Sequence, residues 1–325
     1  MRYYTKLEIL KGLSLQIPHI PVLFNETLSA FSDTQGGYIL DCTLGYAGHS
    51  QGILQSLPNV HLIACDRDNE AINFSSKRLE NFKDRVQIHK AKFSEILKIL
   101  PDEKIKNIRG ILADIGVSSL QIDKNERGFG LGSDELDMRM DSSCSKDAKF
   151  IVNNYTKDEL TRILREYGEL PNAYQIAEKI IQARKLSPIT SAKDLAQIIG
   201  TRPAKNRSVS PAILAFQAIR IEVNNELGEL GELLNLIEQK AKNKVLTNAK
   251  IAIISFHSLE DRIVKTRFKE WEKACICPEF ALKCECGANH NLGKIISKKP
   301  ITASSEELAQ NSRASSAKLR IFQIK

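Results

Sequence analysis

No apolar run in this 325-residue chain reaches the roughly 18–20 residues that a bilayer crossing needs. The start, MRYYTKLEIL, has no long apolar core with a small-residue cleavage site behind it. Membrane spanning and secretion are therefore not expected, and the cytoplasm is the expected location. Internal repeats and low-complexity tracts are missing as well, which removes solenoids and biased scaffolds. Acidic charge is the scarcer sign. Lys and Arg number 47 against 39 Asp and Glu, a net charge of +8, and the natural complement is a polyanion. From Lys283 onward, eight basic residues less three acidic ones place +5 of that excess in the tail. Seven cysteines, an odd number without a secretion signal, read as thiols or metal ligands and not as disulfides.

A strand–helix alternation fills the first third. YILDC, VHLIAC, RVQIH and IRGILAD are short β-rich runs, spaced to leave one crossover helix between neighbours. Ala71, Phe74, Arg78 and Leu79 show helical spacing in one of those gaps. The alternation predicts an α/β fold, a parallel sheet covered on both faces. It breaks after Asp114. Apolar residues then recur at helical intervals, as Leu160, Ile163, Leu164 and Tyr167, then Ile176, Ala177, Ile180 and Ile181, then Leu195, Ile198 and Ile199. A long helix leads to the strand KIAIISF and two late strand candidates, GKIIS and KLRIFQI. The expected organisation is one discontinuous α/β domain, residues 1–129 and 206–325, interrupted by an all-helical insert at 130–205.

Ligands of open α/β sheets bind at the carboxyl ends of the strands. DCTLGYAGHS lies at such an end, where glycines let a backbone approach something closely. The second strand ends in ACDRD, placing Asp66 about 20 residues on, where a carboxylate accepts hydrogen bonds from ribose hydroxyls. The loop is short of a full G-x-G-x-x-G, so a pyrophosphate is poorly supported and a zwitterionic amino-acid tail fits as well. On these residues alone a dinucleotide and S-adenosylmethionine both stay open. The fourth strand ends at Asp114 in ILADIGVSSLQID, beside the same crevice.

Nine ordered blocks run along nearly the whole chain: HIPVLFNETL, DCTLGYAGHS, ACDRD, DIGVSSLQID, ERGFG, LDMRMD, FQAIRIEVNNEL, SFHSLEDRIVK and KPITASSEELAQNSRASSAKLR. In these the sequence resembles the RsmH (MraW) family of bacterial 16S rRNA methyltransferases. The resemblance implies a Rossmann-like class I sheet that uses S-adenosyl-L-methionine. It implies 16S rRNA of the small ribosomal subunit as partner, with methyl transfer to N4 of a cytidine in the decoding centre. The helical insert would recognise the RNA. Cofactor positions carry over as Ala47, Gly48 and His49 in the loop, then Asp66, Phe93 in KAKFSEI, Asp114 and Gln121. The loop is expected to face the methionine portion, Asp66 the ribose and Phe93 the adenine, with Asp114 and Gln121 framing the transfer site. The family's loop usually has two adjacent glycines before the histidine. Ala47 stands at the first, and its methyl group is expected to crowd the ligand slightly. A homodimer is left open.

For that reaction Asp114 is the candidate acceptor of the amine's hydrogen bonds. The Asp/Asn/Ser-Pro-Pro-aromatic box of some amino-methyltransferases is absent, with DIGVSS in its place. His257 in SFHSLED, past the fifth strand, is a second catalytic candidate, with a helix-capping role as its alternative. Cys275, Cys277, Cys284 and Cys286 form C-x-C-x6-C-x-C, either enclosing a structural zinc or remaining free thiols. No catalytic metal is expected, because transfer from a sulfonium needs none. Lys298, Lys299, Arg313, Lys318 and Arg320 are expected along RNA phosphates, with solvent as the alternative for Lys318 and Arg320. Two other functions compete. A nicotinamide oxidoreductase would share the glycine loop and Asp66, whereas a non-catalytic RNA-binding protein would have no use for an intact cofactor crevice.

Overall fold

In the runs YILD, HLIACD, IRGILAD and KIAIIS successive residues enter different cores, which is why these runs are mostly apolar and do not alternate with polar residues. Leu40, Ile63, Ile111, Ile253 and Phe322 pack into one cluster; Ile39, Leu62, Leu112, Ile254 and Ile321 pack into another. The computed structural model describes residues 21–117, 122, 124–203, 209–278 and 283–325. Its strands are β1 (Tyr38–Asp41), β2 (His61–Asp66), β3 (Val86–Lys90), β4 (Ile108–Asp114), β5 (Lys250–Ser255), β6 (Gly293–Ile295) and β7 (Lys318–Ile324). They form one sheet in the order β3-β2-β1-β4-β5-β7-β6. The first five are parallel, and β7 runs antiparallel to both β5 and β6. It is an open, Rossmann-like α/β sheet, as expected from the sequence. Strand order reverses between β1 and β4, so the carboxyl ends of these two strands flank the switch point at which open α/β sheets bind ligands.

The chain divides into two compact units, Met1–Gly116 with Gly228–Lys325, and Val117–Leu227. The second contains the helices Ala148–Asn154, Lys157–Glu166, Ala173–Leu186, Ala192–Ile199 and Pro211–Asn224. Side chains set where these helices begin. Asp147 accepts the N–H of Phe150 and Ser191 that of Asp194, while Thr156 and Glu159 cap each other reciprocally. Ser210 accepts the N–H of Ile213, with Pro211 in the first turn. The unit is larger than the 130–205 expected from sequence, for two packing reasons. Ala212, Ala215, Phe216, Ala218 and Ile219 of the last helix enter the same core as Leu160, Ile163 and Ile176. At the other end Arg127 donates to the carbonyls of Arg139 and Met140, and the Asn224 side chain bonds the backbone of Met138 and Met140. No helix among the described residues is long and apolar enough to cross a membrane.

The end of the chain corrects one expectation. Arg320 sits on β7, an interior strand, with 9% of its side chain exposed. Its guanidinium donates to both carboxylate oxygens of Asp261, at 2.6 and 3.1 Å, and the Lys318 ammonium stands 3.7 Å from the same group. Arg320 therefore faces neither RNA phosphates nor solvent; its side chain is buried against Asp261 of the helix Ser258–Glu272, and burial demands an ion partner. Lys298 and Lys299 remain exposed. Burial alone would raise the pKa of Asp261, but hydrogen bonding to Arg320, then the charges of Arg320, Lys318 and Lys265, hold it below its ordinary 3.8. We expect Arg320→Ala to destabilise the protein by about 3 kcal/mol, because a buried carboxylate loses its main partner. The carboxyl is depressed in the folded state, so the pair's stabilisation is present above about pH 4 and is lost as pH falls through the lower folded value. Urea midpoints measured down the acid range should show the gap between wild type and variant closing below that point. Equal midpoints at neutral pH would remove the pair from the list of stabilising contacts.

Candidate functional site

The site begins with Asp41, the last residue of β1, whose side chain is buried. It accepts the N–H of Thr43 at 3.1 Å and the hydroxyl of Ser50 at 2.6 Å. Burial pushes its pKa up, with the bonds from Ser50 and Thr43 pulling the other way. Thr43 Oγ1 in turn accepts the N–H of Asp114 at 2.7 Å, clamping the carboxyl ends of β1 and β4 together. Between them Gly45 and Ala47 adopt left-handed backbone, φ +49° and +57°, and swing the chain into the helix Gly48–Ser56. The guanidinium of Arg78 holds this turn from outside, donating to the Tyr46 carbonyl and to Gln51 Oε1 at 2.7 and 2.9 Å.

Two of the glycines approach protein. A Cβ on Gly48 would lie 2.3 Å from Pro21 Cγ, and one on Gly52 would lie 2.5 Å from the ring of Phe24. Ala47 departs from the expectation too. Its methyl group has no exposed surface and packs in the core with Leu44, Ile53 and Leu54, so it does not crowd a ligand. Left-handed backbone costs a non-glycine residue about 1–2 kcal/mol, and burying one methyl returns about 0.8 kcal/mol. Alanine is tolerated there for that reason.

His49 is 6% exposed and stacks on Phe24, ring centroids 6.2 Å apart. Its Nε2 stands 3.5 Å from Asp114 Oδ2, a close approach that lacks hydrogen-bond geometry. Both ring nitrogens of His49 and Oδ1 of Asp114 are buried without a hydrogen-bond partner among the described residues. Buried polar atoms in native proteins are almost always satisfied, so these fit a site completed by a polar ligand. Asp66 ends β2. Its Oδ1 accepts the N–H of Asp68 at 2.9 Å and its Oδ2 that of Gly45 at 2.8 Å. A carboxylate has about four lone-pair sites, which leaves roughly two for donors such as vicinal hydroxyls. Burial raises its pKa, and the N–H groups of Asp68 and Gly45 only partly offset this. The N–H of Ala91 bonds the Asp66 carbonyl, and two residues on Phe93 lies half-buried against the sheet core. These residues suit a nucleoside joined to a charged amino-acid tail, as in S-adenosylmethionine. Gln121 lies outside the described residues.

His257 is the N-cap of the helix Ser258–Glu272. Its Nδ1 accepts the N–H of Glu260 at 3.4 Å, and Glu260 Oε2 accepts the N–H groups of Phe256 and His257 at 2.8 and 3.3 Å. Nε2 also lies 3.1 Å from Glu260 Oε1, yet both atoms count as unsatisfied, so the contact is a close approach without hydrogen-bond alignment. The capping alternative is thus present and uses Nδ1, while Nε2 has no aligned partner among the described residues. Sequence reasoning missed Asp41, Thr43, Ser50 and Arg78, although a carboxylate ending an apolar strand was a signal for the first. It also missed Glu229, which is 5% exposed, stands 3.5 Å from both Arg67 and Lys92, and accepts from Ser94. Nothing near Glu229 in the sequence marks that role.

The MraW methylase family matches residues 16–325. The "Ribosomal RNA small subunit methyltransferase H" of Campylobacter concisus (strain 13826) is 62% identical over 311 residues, covering 96% of this chain and 100% of its own. The protein of the same name from Campylobacter curvus (strain 525.92) is 58% identical, over 96% and 99% of the two chains. Likeness to solved structures is distant. The hMettl16 catalytic domain, for one, covers 96% of this chain and 76% of its own at 12% identity and a TM-score of 0.43, too low to argue from. The chain belongs to the MraW methylase family.

Proposed function

We propose that this protein methylates N4 of a cytidine in the decoding centre of 16S rRNA, with S-adenosyl-L-methionine as donor. The names of its relatives supply the substrate class, ribosomal RNA of the small subunit. The observation that carries the chemistry is the buried, unpartnered Oδ1 of Asp114 at the end of β4, beside a loop fixed by Asp41 and Thr43. Bound cofactor supplies an electrophilic sulfonium methyl. Asp66 holds the ribose, Phe93 packs near the adenine, and the turn 45–49 receives the amino-acid end.

The exocyclic amine of cytosine is a poor nucleophile, because its lone pair is delocalised into the ring. Asp114 accepts a hydrogen bond from that amine, which turns the lone pair toward the methyl group and offsets the positive charge that grows on nitrogen. The clamp from Thr43 to the Asp114 N–H keeps the carboxylate in place while this happens. A paired cytosine hides N4, so the base enters splayed out of its stack. The helical unit is the proposed receiver of the RNA. Phe150 and Tyr174 on it are 47% and 53% exposed, aromatic faces of the kind on which unstacked bases lie.

Mass spectrometry of small-subunit rRNA from cells with and without the protein should show one N4-methylated cytidine lost from the decoding centre. A thermal-shift series should show stabilisation by S-adenosyl-L-methionine and none by NAD. Stabilisation by NAD alone would favour the oxidoreductase, and RNA binding without any cofactor response the non-catalytic reading.

A further inference from the structure

We infer that Cys275, Cys277, Cys284 and Cys286 bind one zinc ion as a closed, structural tetrathiolate centre, separate from the methyl-transfer site. Their four sulfurs lie within 4.8 Å of one another. Three separations, Cys275–Cys284, Cys275–Cys286 and Cys284–Cys286, are each 3.6 Å. Corners of a tetrahedron around an ion with Zn–S bonds of about 2.3 Å stand about 3.8 Å apart. Disulfide sulfurs would be about 2.05 Å apart. The sulfurs are therefore arranged around a common centre and not joined in pairs.

Backbone donors reinforce that arrangement. The N–H of Ile276, inside the first C-x-C, points at Cys286 Sγ at 3.4 Å, and the N–H of Glu285, inside the second, points at Cys277 Sγ at 3.4 Å. Each arm thus donates to a sulfur of the other arm, and such bonds favour thiolates over thiols. Lys273 and Lys283 line the hollow beside the sulfurs, positive charge where a metal tetrathiolate carries two net negative charges. Loading is balanced by proton release, since one Zn²⁺ and four thiols give the dianionic complex and four protons. Four thiolates fill a tetrahedral shell and leave no position for a substrate, so the centre is structural and needs no redox change.

The location explains what such an ion would do. Residues 273–292 connect the helix Ser258–Glu272 to β6. The described residues of this connection are largely exposed, and Ile276 is itself 64% exposed. Its ends are drawn together by Leu292 N–H to the Trp271 carbonyl at 2.7 Å and His290 N–H to the Ala274 carbonyl at 3.0 Å. The His290 ring stands 2.9 Å from the Cys286 carbonyl. A long connection whose described residues bury so little apolar surface gains order from a covalent or metal staple.

The test uses the full chain, purified without histidine tags or chelators. Elemental analysis by plasma mass spectrometry should give about one zinc per chain. The Cys275→Ser/Cys284→Ser double variant should hold less than a tenth of that, while Cys144→Ser, at an exposed thiol elsewhere, keeps the full amount. Misfolding of the double variant is controlled by stripping wild-type protein with a chelator and returning Zn²⁺ alone. Uptake should acidify a weakly buffered solution and should protect four thiols from a thiol-reactive dye. Wild-type chain that takes up no Zn²⁺ under reducing conditions, with all four thiols reactive, would overturn the centre. Stoichiometric iron in its place would overturn the assignment to zinc.

Discussion

Asp114→Ala is expected to lower kcat by about a hundredfold to a thousandfold, the range seen when one preorganised group facing transition-state charge is removed. RNA affinity should change little. The reason lies in how this carboxylate is held. Its backbone N–H is anchored to Thr43 Oγ1 and its Oδ2 rests 3.5 Å from His49, while Oδ1 is buried with no partner. Truncation leaves the end of β4 clamped and removes only the group offered to the amine. An effect confined to the transition state lowers kcat and kcat/KM together, whereas loss of binding shared equally by ground and transition states raises KM alone. Asp114→Asn keeps an acceptor oxygen without the charge and should fall between the two. Single-turnover methylation of a small-subunit rRNA fragment measures the chemical step directly. Near-normal single-turnover rates in the alanine variant would sink the role.

The fold was largely legible because each strand is a short apolar run closed by a turn. All seven strands fall on the runs read from sequence, from YILDC to KLRIFQI. What the runs could not reveal was pairing direction, since β7 is set antiparallel by its neighbours β5 and β6 and not by its own residues. The helical unit was visible as a change in period, but its ends were not. FQAIRIEVNNEL reads equally well as a helix of either unit, and only the burial of Phe216 and Ile219 assigns it. In the site, Asp66 and Asp114 were readable as acids ending strands. Gly48 was legible as a glycine but not for its reason, because Pro21 lies 27 positions away in the sequence and meets it only in the folded chain. Arg320 reads as a tail cation until Asp261, 59 positions earlier, meets its guanidinium in the folded chain.

Asp66→Ala should weaken S-adenosyl-L-methionine binding by about two to four orders of magnitude, since each strong charge-assisted hydrogen bond contributes roughly 1.5–3 kcal/mol and two ribose hydroxyls are at stake. Part of the loss has a second origin. The same carboxylate accepts the N–H groups of Gly45 and Asp68, so truncation also frees the turn that receives the amino-acid end. Asp66→Asn separates the two effects: it keeps the shape and one acceptor oxygen but sets an NH2 against one of those N–H groups. A pH series adds a readout that loop loosening alone would not give. Burial raises the pKa of Asp66 in the free protein, ahead of the opposing bonds from Asp68 and Gly45. Hydroxyl donors stabilise the charged form, so binding lowers that pKa and releases a proton wherever the free carboxyl is protonated. Affinity should therefore fall as pH drops through the raised value in wild type, and should follow a flatter course in Asp66→Ala. Calorimetry in two buffers of different ionisation enthalpy reports the released proton directly. Unchanged affinity in the alanine variant, with no difference between buffers, would remove Asp66 from the cofactor site.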